Sequence, residues 1–415
     1  MFRALISILL YSAAASSAPS LTLALTEVES RVRVANPSLK AARMVVEEAR
    51  GRHLGAGLLP NPTVGFESRN ETSLSPGEVM VSLDQSFPIT KRLRLEKQLT
   101  SQLVIAAELE VKEAERRIIY QAQSLAVQIF AIKQQHWLRQ QQTALAAKLS
   151  EFVLGRAKAG ELSALDAAQA QLDAQRLIVE ARKLEAESGS LLGALKPMLD
   201  VAPGEALSLS GELPEMTVPD KAVRWTMRAD YQLAAAKLAA SQTDVSLAKA
   251  NQWQDISAGI FTGPEYQRAS GTTRQATGVI GFRISLPLPF WNKNEGQLAE
   301  KAASAERARL ESEALGKQIA SEAETARNEM LAHADLARET RENLLPLVIE
   351  QTGKLEKAYE SGQADLLTVL RARDQRLQLE AAALDAVRDF HLARIRYEAA
   401  IGSHAPAVPV APLNR

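Results

Sequence analysis

Histidines and clustered carboxylates are the residues of this chain best suited to hold a metal or move protons. There are five histidines, His53, His136, His333, His391 and His404, and no two stand at i, i+3 or i+4. That spacing cannot put two imidazoles on one helical face, so each reads as a surface or packing residue rather than a ligand. Most Asp and Glu residues have Lys or Arg close by within helical stretches, the pattern of a solvated face. No phosphate loop, His-Glu-x-x-His or Gly-x-Ser-x-Gly occurs. The chain has no Cys, which excludes disulfides, thiolate metal sites, cysteine nucleophiles and a lipidated N-terminal Cys. With no convergent constellation, neither an enzyme nor a resident metal or cofactor is expected.

The chemistry that remains is hydrogen bonding at two matching turns. One is Gly155-Arg156-Ala157-Lys158-Ala159-Gly160-Glu161-Leu162-Ser163-Ala164-Leu165-Asp166, running on into Gln169-Ala170; the other is Lys357-Ala358-Tyr359-Glu360-Ser361-Gly362-Gln363-Ala364-Asp365-Leu366-Leu367. Each stops an Ala-rich helical pattern at a Gly and restarts a helix within a few residues, which folds two helices into an antiparallel hairpin. The glycines stand 362 − 160 = 202 positions apart, about half the chain, and imply an internal duplication. Tyr359 beside one turn and Asp166 just beyond the other are placed to hydrogen-bond between neighbouring hairpins.

Long helices must carry those turns. From Lys91 to about Val153 there is neither Pro nor Gly, a rod of roughly 90–100 Å at 1.5 Å per residue. A return helix follows from Ser163 to Leu195, with Leu165, Leu172 and Val179 seven apart, the spacing of a coiled-coil seam. The second half repeats this with a rod over Leu298 to Ala358, bent at Pro346, and a return helix from Asp365 to about Ile401 carrying Leu370, Leu377 and Leu384. Further helices are expected over Thr26 to Gly57, with Asn36-Pro37 as a break, and over Ala222 to Ala250.

Each half also holds a strand pair. Val64, Phe66 and Ser68 alternate with Thr63, Gly65 and Glu67, and Val79, Val81 and Leu83 alternate with Met80, Ser82 and Asp84, around a polar turn at Ser73 to Gly77. In the second half a strand over Asp255 to Thr262 and a polar loop holding Gly263, Pro264, Ser270 and Gly271 lead to a second strand. There Ile280, Phe282, Ile284 and Leu286 share one face, and Val279, Gly281, Arg283 and Ser285 the other. These lengths and this alternation suit membrane strands with lipid on the apolar side and a watery lumen at Arg283 and Ser285. The strand ends repeat too, since Pro289 follows Pro88 by 289 − 88 = 201 positions.

The resulting layout is a signal peptide over 1–18, a first repeat over 19–200 with its β-hairpin at 62–88 and tip near 155–162, and a linker over 201–220. A second repeat spans 221–402, with its β-hairpin at 255–289 and tip near 359–365, and a disordered Pro-rich tail covers 403–415. Composition agrees. The 49 basic and 49 acidic residues balance, against a nucleic-acid partner, and only 5% aromatics suits slender close-packed helices better than a thick core. The expected fold class is mainly α with a small β part. Four strands cannot close a barrel, and lipid does not tolerate open edges. Three copies would supply a 12-stranded barrel and a matching ring of helices, an α-helical barrel, so a cyclic trimer is the simple solution. The rival from another class is a secreted coiled-coil scaffold that never enters a membrane; it leaves the two matching strand pairs unexplained.

Several of these motifs together resemble the TolC family of bacterial outer-membrane proteins. They are Arg156-x-x-x-Gly160-x-x-Ser163-x-Leu165-Asp166-x-x-Gln169-Ala170, Tyr359-x-x-Gly362, Leu58-Leu59-Pro60-Asn61-Pro62 and Arg228-Ala229-Asp230. The resemblance covers essentially the whole chain after the signal peptide. It implies a homotrimer with a β-barrel in outer-membrane lipid and an α-helical tunnel in the periplasm, joined to a periplasmic adaptor and an inner-membrane pump of the RND type. The turns then become the periplasmic tip, with Arg156, Gly160, Leu162, Ser163, Tyr359 and Gly362 as adaptor contacts. Asp166, Tyr359, Asp365, Thr368 and Arg371 become candidates for the gate. Some members carry an aspartate ring after the second turn; aligned on Tyr359 and Gly362, those positions here are Thr368 and Arg371, with Asp365 and Asp374 nearby. The segment from Leu286 to Gln297 (Leu-Pro-Leu-Pro-Phe-Trp-Asn-Lys-Asn-Glu-Gly-Gln) is similar to one in the cobalt–zinc–cadmium heavy-metal resistance branch, which implies efflux of divalent metal cations. Efflux of drugs or other organic solutes is the alternative within the family.

Overall fold

The computed structural model describes residues 20–70, 76–219, 225–268 and 274–402. The expected signal peptide and tail, and the centres of both hairpin turns, lie outside the described residues. The chain forms two compact units, and the helices over 37–55, 92–158 and 295–338 contribute residues to both.

The first unit comprises, of the described residues, 20–40, 115–219 and 322–402. It is mainly helical, with one small pair of strands and irregular stretches at 201–205 and 211–219. Helix α1 (Leu25–Ala35) ends at Asn36, and α2 (Pro37–Gly55) starts at the proline, whose missing N–H costs nothing at a helix start. Asn36 secures the joint: its Oδ1 accepts from the Leu39 amide at 3.0 Å and its Nδ2 donates to the Met198 carbonyl at 3.0 Å. The expected helix over Thr26 to Gly57 is therefore two. Strand β1 (Ser20–Ala24) pairs in parallel with β4 (Ala206–Ser210), burying Leu23, Leu207 and Leu209. This corrects the expected irregular linker over 201–220. A five-residue strand whose partner lies some 186 positions away leaves little local signal.

The rods are α3 (Arg92–Lys158) and α6 (Glu295–Arg338), and the return helices are α4 (Ala164–Leu195) and α8 (Leu366–Ala400). Where a bend is expected at Pro346, the chain has six residues of π-helix, Glu339–Leu344, after which α7 (Leu345–Glu360) carries the proline in its first turn. Wider π turns absorb an irregularity without ending a helix. Small residues set the packing. Ala323, Ala326, Met330 and Ala334 of α6 meet Phe390, Ala393, Tyr397 and Ala400 of α8. Polar pairs fix the register between helices, among them Gln142 to Glu380 at 2.6 Å and Arg176 to Asp374 at 3.2 Å.

The second unit comprises, of the described residues, 41–70, 76–114, 225–268 and 274–321. Helix α5 (Ala229–Ala250) begins later than the expected Ala222. Just before it, buried Arg228 grips Asp230 through Nε and Nη2, at 3.0 and 2.6 Å. Val46 and Ala49 of α2 pack on Val104 and Ala107 of α3. Strands β2 (Thr63–Asn70), β3 (Pro76–Phe87), β5 (Ile256–Arg268) and β6 (Arg274–Ser285) form one antiparallel sheet in the order β2-β3-β5-β6. Gly263 and Pro264, expected in a loop, lie inside β5. The pairing with β3 lapses opposite them and resumes at Glu265, while β6 pairs throughout.

Candidate functional site

Both helical turns are built in the same way. The Gly160 amide donates to the Ala157 carbonyl at 3.1 Å and the Glu161 amide to Arg156 at 2.9 Å; the Gly362 amide donates to Tyr359 at 3.0 Å and the Gln363 amide to Ala358 at 2.7 Å. This is the Schellman pattern, which needs a left-handed residue; Gly160 has φ +79° and Gly362 φ +75°. Each restarted helix is capped by its own side chain: Ser163 accepts from the Leu165 amide at 3.1 Å, and Asp365 from the Thr368 amide at 2.8 Å. Nothing lies within 4 Å of a Cβ added at either glycine, so Gly160→Ala and Gly362→Ala suffer backbone strain alone. Each is expected to cost about 1–2 kcal/mol, read as faster amide exchange at the turn. Unchanged exchange would show that the left-handed backbone is not needed.

The two turns converge. Val153, Ala167 and Ala170 from the first hairpin and Leu366 from the second are buried together, with Leu162 and Tyr359 packed against them. The Tyr359 hydroxyl is buried without a hydrogen-bond partner. Burial, and next the Asp166 carboxylate, push it above its ordinary range, while Arg156 opposes. Asp166 thus acts on Tyr359 electrostatically, but no hydrogen bond joins them within one chain. Arg156 lies 4.8 Å over the Phe152 ring and 3.6 Å from Glu161.

In the sheet, directly opposed residues share a face. One face collects Val64, Phe66, Val81, Leu83, Ile260, Ile280, Phe282 and Ile284, all exposed, Phe282 to 80%. The other holds Arg283 and Ser285. Arg283 donates to both Asp84 oxygens at 3.2 Å. It reaches across Gly259, where a Cβ would stand 2.0 Å from Asp84 Oδ1. Ser285 opposes Ser257, which lies 3.1 Å from Ser86 Oγ to Oγ. Among the described residues, β2 and β6 each have one edge without a partner strand.

No family model matches the chain, nor does any curated protein sequence. Solved structures do. A structure of CusC, described for the conformational changes accompanying folding and transmembrane channel formation, has a TM-score of 0.76 over 91% of this chain and 92% of that one, at 16% identity. The outer membrane protein VceC of Vibrio cholerae has a TM-score of 0.74 over 91% and 96%, at 20% identity. The MtrE outer membrane channel of Neisseria gonorrhoeae, in its open state, has 0.72 over 91% and 88%, at 16% identity. The chain has the fold of these channels. The comparison does not single out a cobalt–zinc–cadmium branch.

The other gate candidates of this channel-type fold are differently placed. Asp365 is occupied as a cap: the amide and hydroxyl of Thr368 both donate to it, at 2.8 Å each, and hold its carboxyl below the usual range. Arg371 is exposed. On α4, Leu165, Leu172 and Val179 point away from the chain's own core, whose α4 contacts are Ala167, Ala170, Ala174 and Leu177. Sequence reasoning did not name Asp84 as the partner of Arg283. The alternation over 79–84 put Asp84 on a polar side, and only the strand order brings it near Arg283. Among the described residues, no group of three His, Asp or Glu could hold a metal ion, and no helix is long and apolar enough to cross a membrane.

Proposed function

We propose that this chain is the outer-membrane channel of a tripartite efflux system, a non-enzymatic conduit from periplasm to exterior. One observation carries the reading: a four-stranded antiparallel sheet with one apolar exposed face, one charged face and, among the described residues, two bare edges. Bare edges are untenable in lipid, so copies must pool strands. The order β2-β3-β5-β6 alternates direction, so β6 of one copy meets β2 of the next antiparallel and three copies close a 12-stranded barrel. Leu165, Leu172 and Val179 then supply an outward seam for a neighbour's helices. The apolar face meets lipid and the Arg283 face lines the lumen. The helical turns form the periplasmic tip that meets an adaptor, and an RND-type pump in the inner membrane supplies the energy. The segment 286–297 supports divalent metal cations as cargo, with organic solutes as the other class.

Heat-modifiable trimers in the outer-membrane fraction, conducting in planar bilayers, are the expected result; recovery only from the soluble periplasm would reject the channel. Sensitivity of a deletion strain to drugs with metal tolerance intact would remove metals as cargo. At the tip, Tyr359 of one copy and Asp166 of the next form a latch between neighbouring hairpins, a bond of about 1.5–3 kcal/mol when the acceptor is charged. Tyr359→Phe with Asp166→Ala is expected to give trimers that insert normally and conduct more. Equal conductance in inserted trimers would show that the pair is no latch.

A further inference from the structure

The polar face of the sheet carries an apolar spot. Met80, Phe261 and Val279 come from three strands, yet they meet at one depression of about 330 Å³ bordered by Glu67, Arg69 and Glu78. The register explains the meeting: Met80 opposes Glu67, Phe261 opposes Gly281 and Val279 opposes Gly263. Gly281 seats the ring, since a Cβ there would stand 2.4 Å from Phe261 Cζ. From this spot towards Arg283 the face is otherwise Ser, Thr, Gly or charged. Three apolar side chains gathered on an otherwise polar face offer a contact that an apolar ring would gain from.

The border adds a sign. Arg69 donates to Glu67 at 3.1 Å and to Glu78 at 3.4 Å, so one guanidinium serves two carboxylates and the three formal charges sum to minus one. Glu265 sits beside Glu78 in the register. A divalent cation that prefers nitrogen or oxygen ligands, such as Zn²⁺, would gain little from Met80, Phe261 and Val279, and an aromatic anion would be repelled by the border. A ring joined to a cationic ammonium uses both, through apolar contact, a cation–π term at Phe261 and attraction to the carboxylates.

We propose that this depression is a binding subsite for aromatic organic cations, with the ring against Phe261 and Met80 and the ammonium at Glu67 and Glu78. It rests on the polar face being the channel lumen, where three copies would line the route, and it names organic cations as a substrate class.

The test is open-channel block of trimers in planar bilayers by benzyltrimethylammonium, compared with tetramethylammonium, benzenesulfonate and Zn²⁺. Benzyltrimethylammonium is expected to block at concentrations where the other three do not. Phe261→Ser with Met80→Ser should raise the half-blocking concentration about tenfold. Glu67→Gln with Glu78→Gln keeps the apolar floor, should act likewise, and carries the test if the serine pair fails to assemble. Equal block of wild type and the Gln pair, or equal block by all four probes, overturns the subsite and leaves the channel standing. Absence of conductance in every preparation overturns the channel itself, and the subsite with it.

Discussion

Ile280→Arg is expected to abolish trimer assembly, while Thr277→Arg leaves most of it intact. Ile280 lies near the middle of β6, 83% exposed on the apolar face, opposite Thr262. Thr277 is three residues away, opposite Glu265, on the face that carries Arg283. An Arg held among lipid tails near the midplane costs about 2–4 kcal/mol per strand, falling to about 0–1 kcal/mol near the interfaces. A trimer bears it three times, about 6–12 kcal/mol, comparable to the roughly 5–15 kcal/mol that holds a typical protein folded. Ile284→Arg, one residue from the strand end, should do less harm although its facing is the same. Ser285→Arg, on the face that carries Arg283, should do almost none. The readout is the heat-modifiable trimer band in the outer-membrane fraction. Equal loss from Ile280→Arg and Thr277→Arg would reject the assigned facing.

That prediction could be framed because strand alternation is a local signal. Ile280, Phe282 and Ile284 against Gly281, Arg283 and Ser285 declare two faces with no knowledge of neighbours. The turns were legible for the same reason, since Gly160 and Gly362 each end a helix where only a left-handed residue fits. Non-local features were hidden. Gly263 and Pro264 carry loop chemistry, yet pairing with β6 holds them in β5, and the proline falls where pairing with β3 lapses. Strands β1 and β4 find each other only in the folded chain. The seam of Leu165, Leu172 and Val179 was visible as a spacing, but these three side chains stay exposed in the folded chain. The candidate site was half legible. Tyr359 and Asp166 could be placed near each other from two turns, but not the burial of the hydroxyl without an acceptor. Phe261 could not be singled out at all, because its seat is made by Gly281 on the next strand.

The first unit should lose stability in mild acid through one residue, His391. It is 3% exposed on α8 with Nε2 unpartnered, its ring edge-on to Phe390 at 5.2 Å between centroids. Burial, then the nearby Arg394 guanidinium, pull its pKa from 6.5 to about 4, against a hydrogen bond to the Pro214 backbone. Above pH 6.5 the imidazole is neutral in folded and unfolded chains, and its contribution is complete. Between 6.5 and 4 the unfolded chain takes up a proton that the folded chain refuses, so stability falls as pH falls. Below about 4 both forms are charged and the loss levels off. A depression of that size corresponds to about 3 kcal/mol. His391→Leu cannot titrate. It strands the hydrogen-bonding group at Pro214, which costs about 1–3 kcal/mol at every pH, but it should flatten the acid response. The measurement is the urea midpoint of helical circular dichroism at pH 7 and pH 4.5, taken as wild type minus variant so that shared carboxylate effects cancel. Wild type should lose its advantage over His391→Leu on acidification. A difference between the two proteins that stays constant with pH would mean that His391 is already solvated in the folded chain.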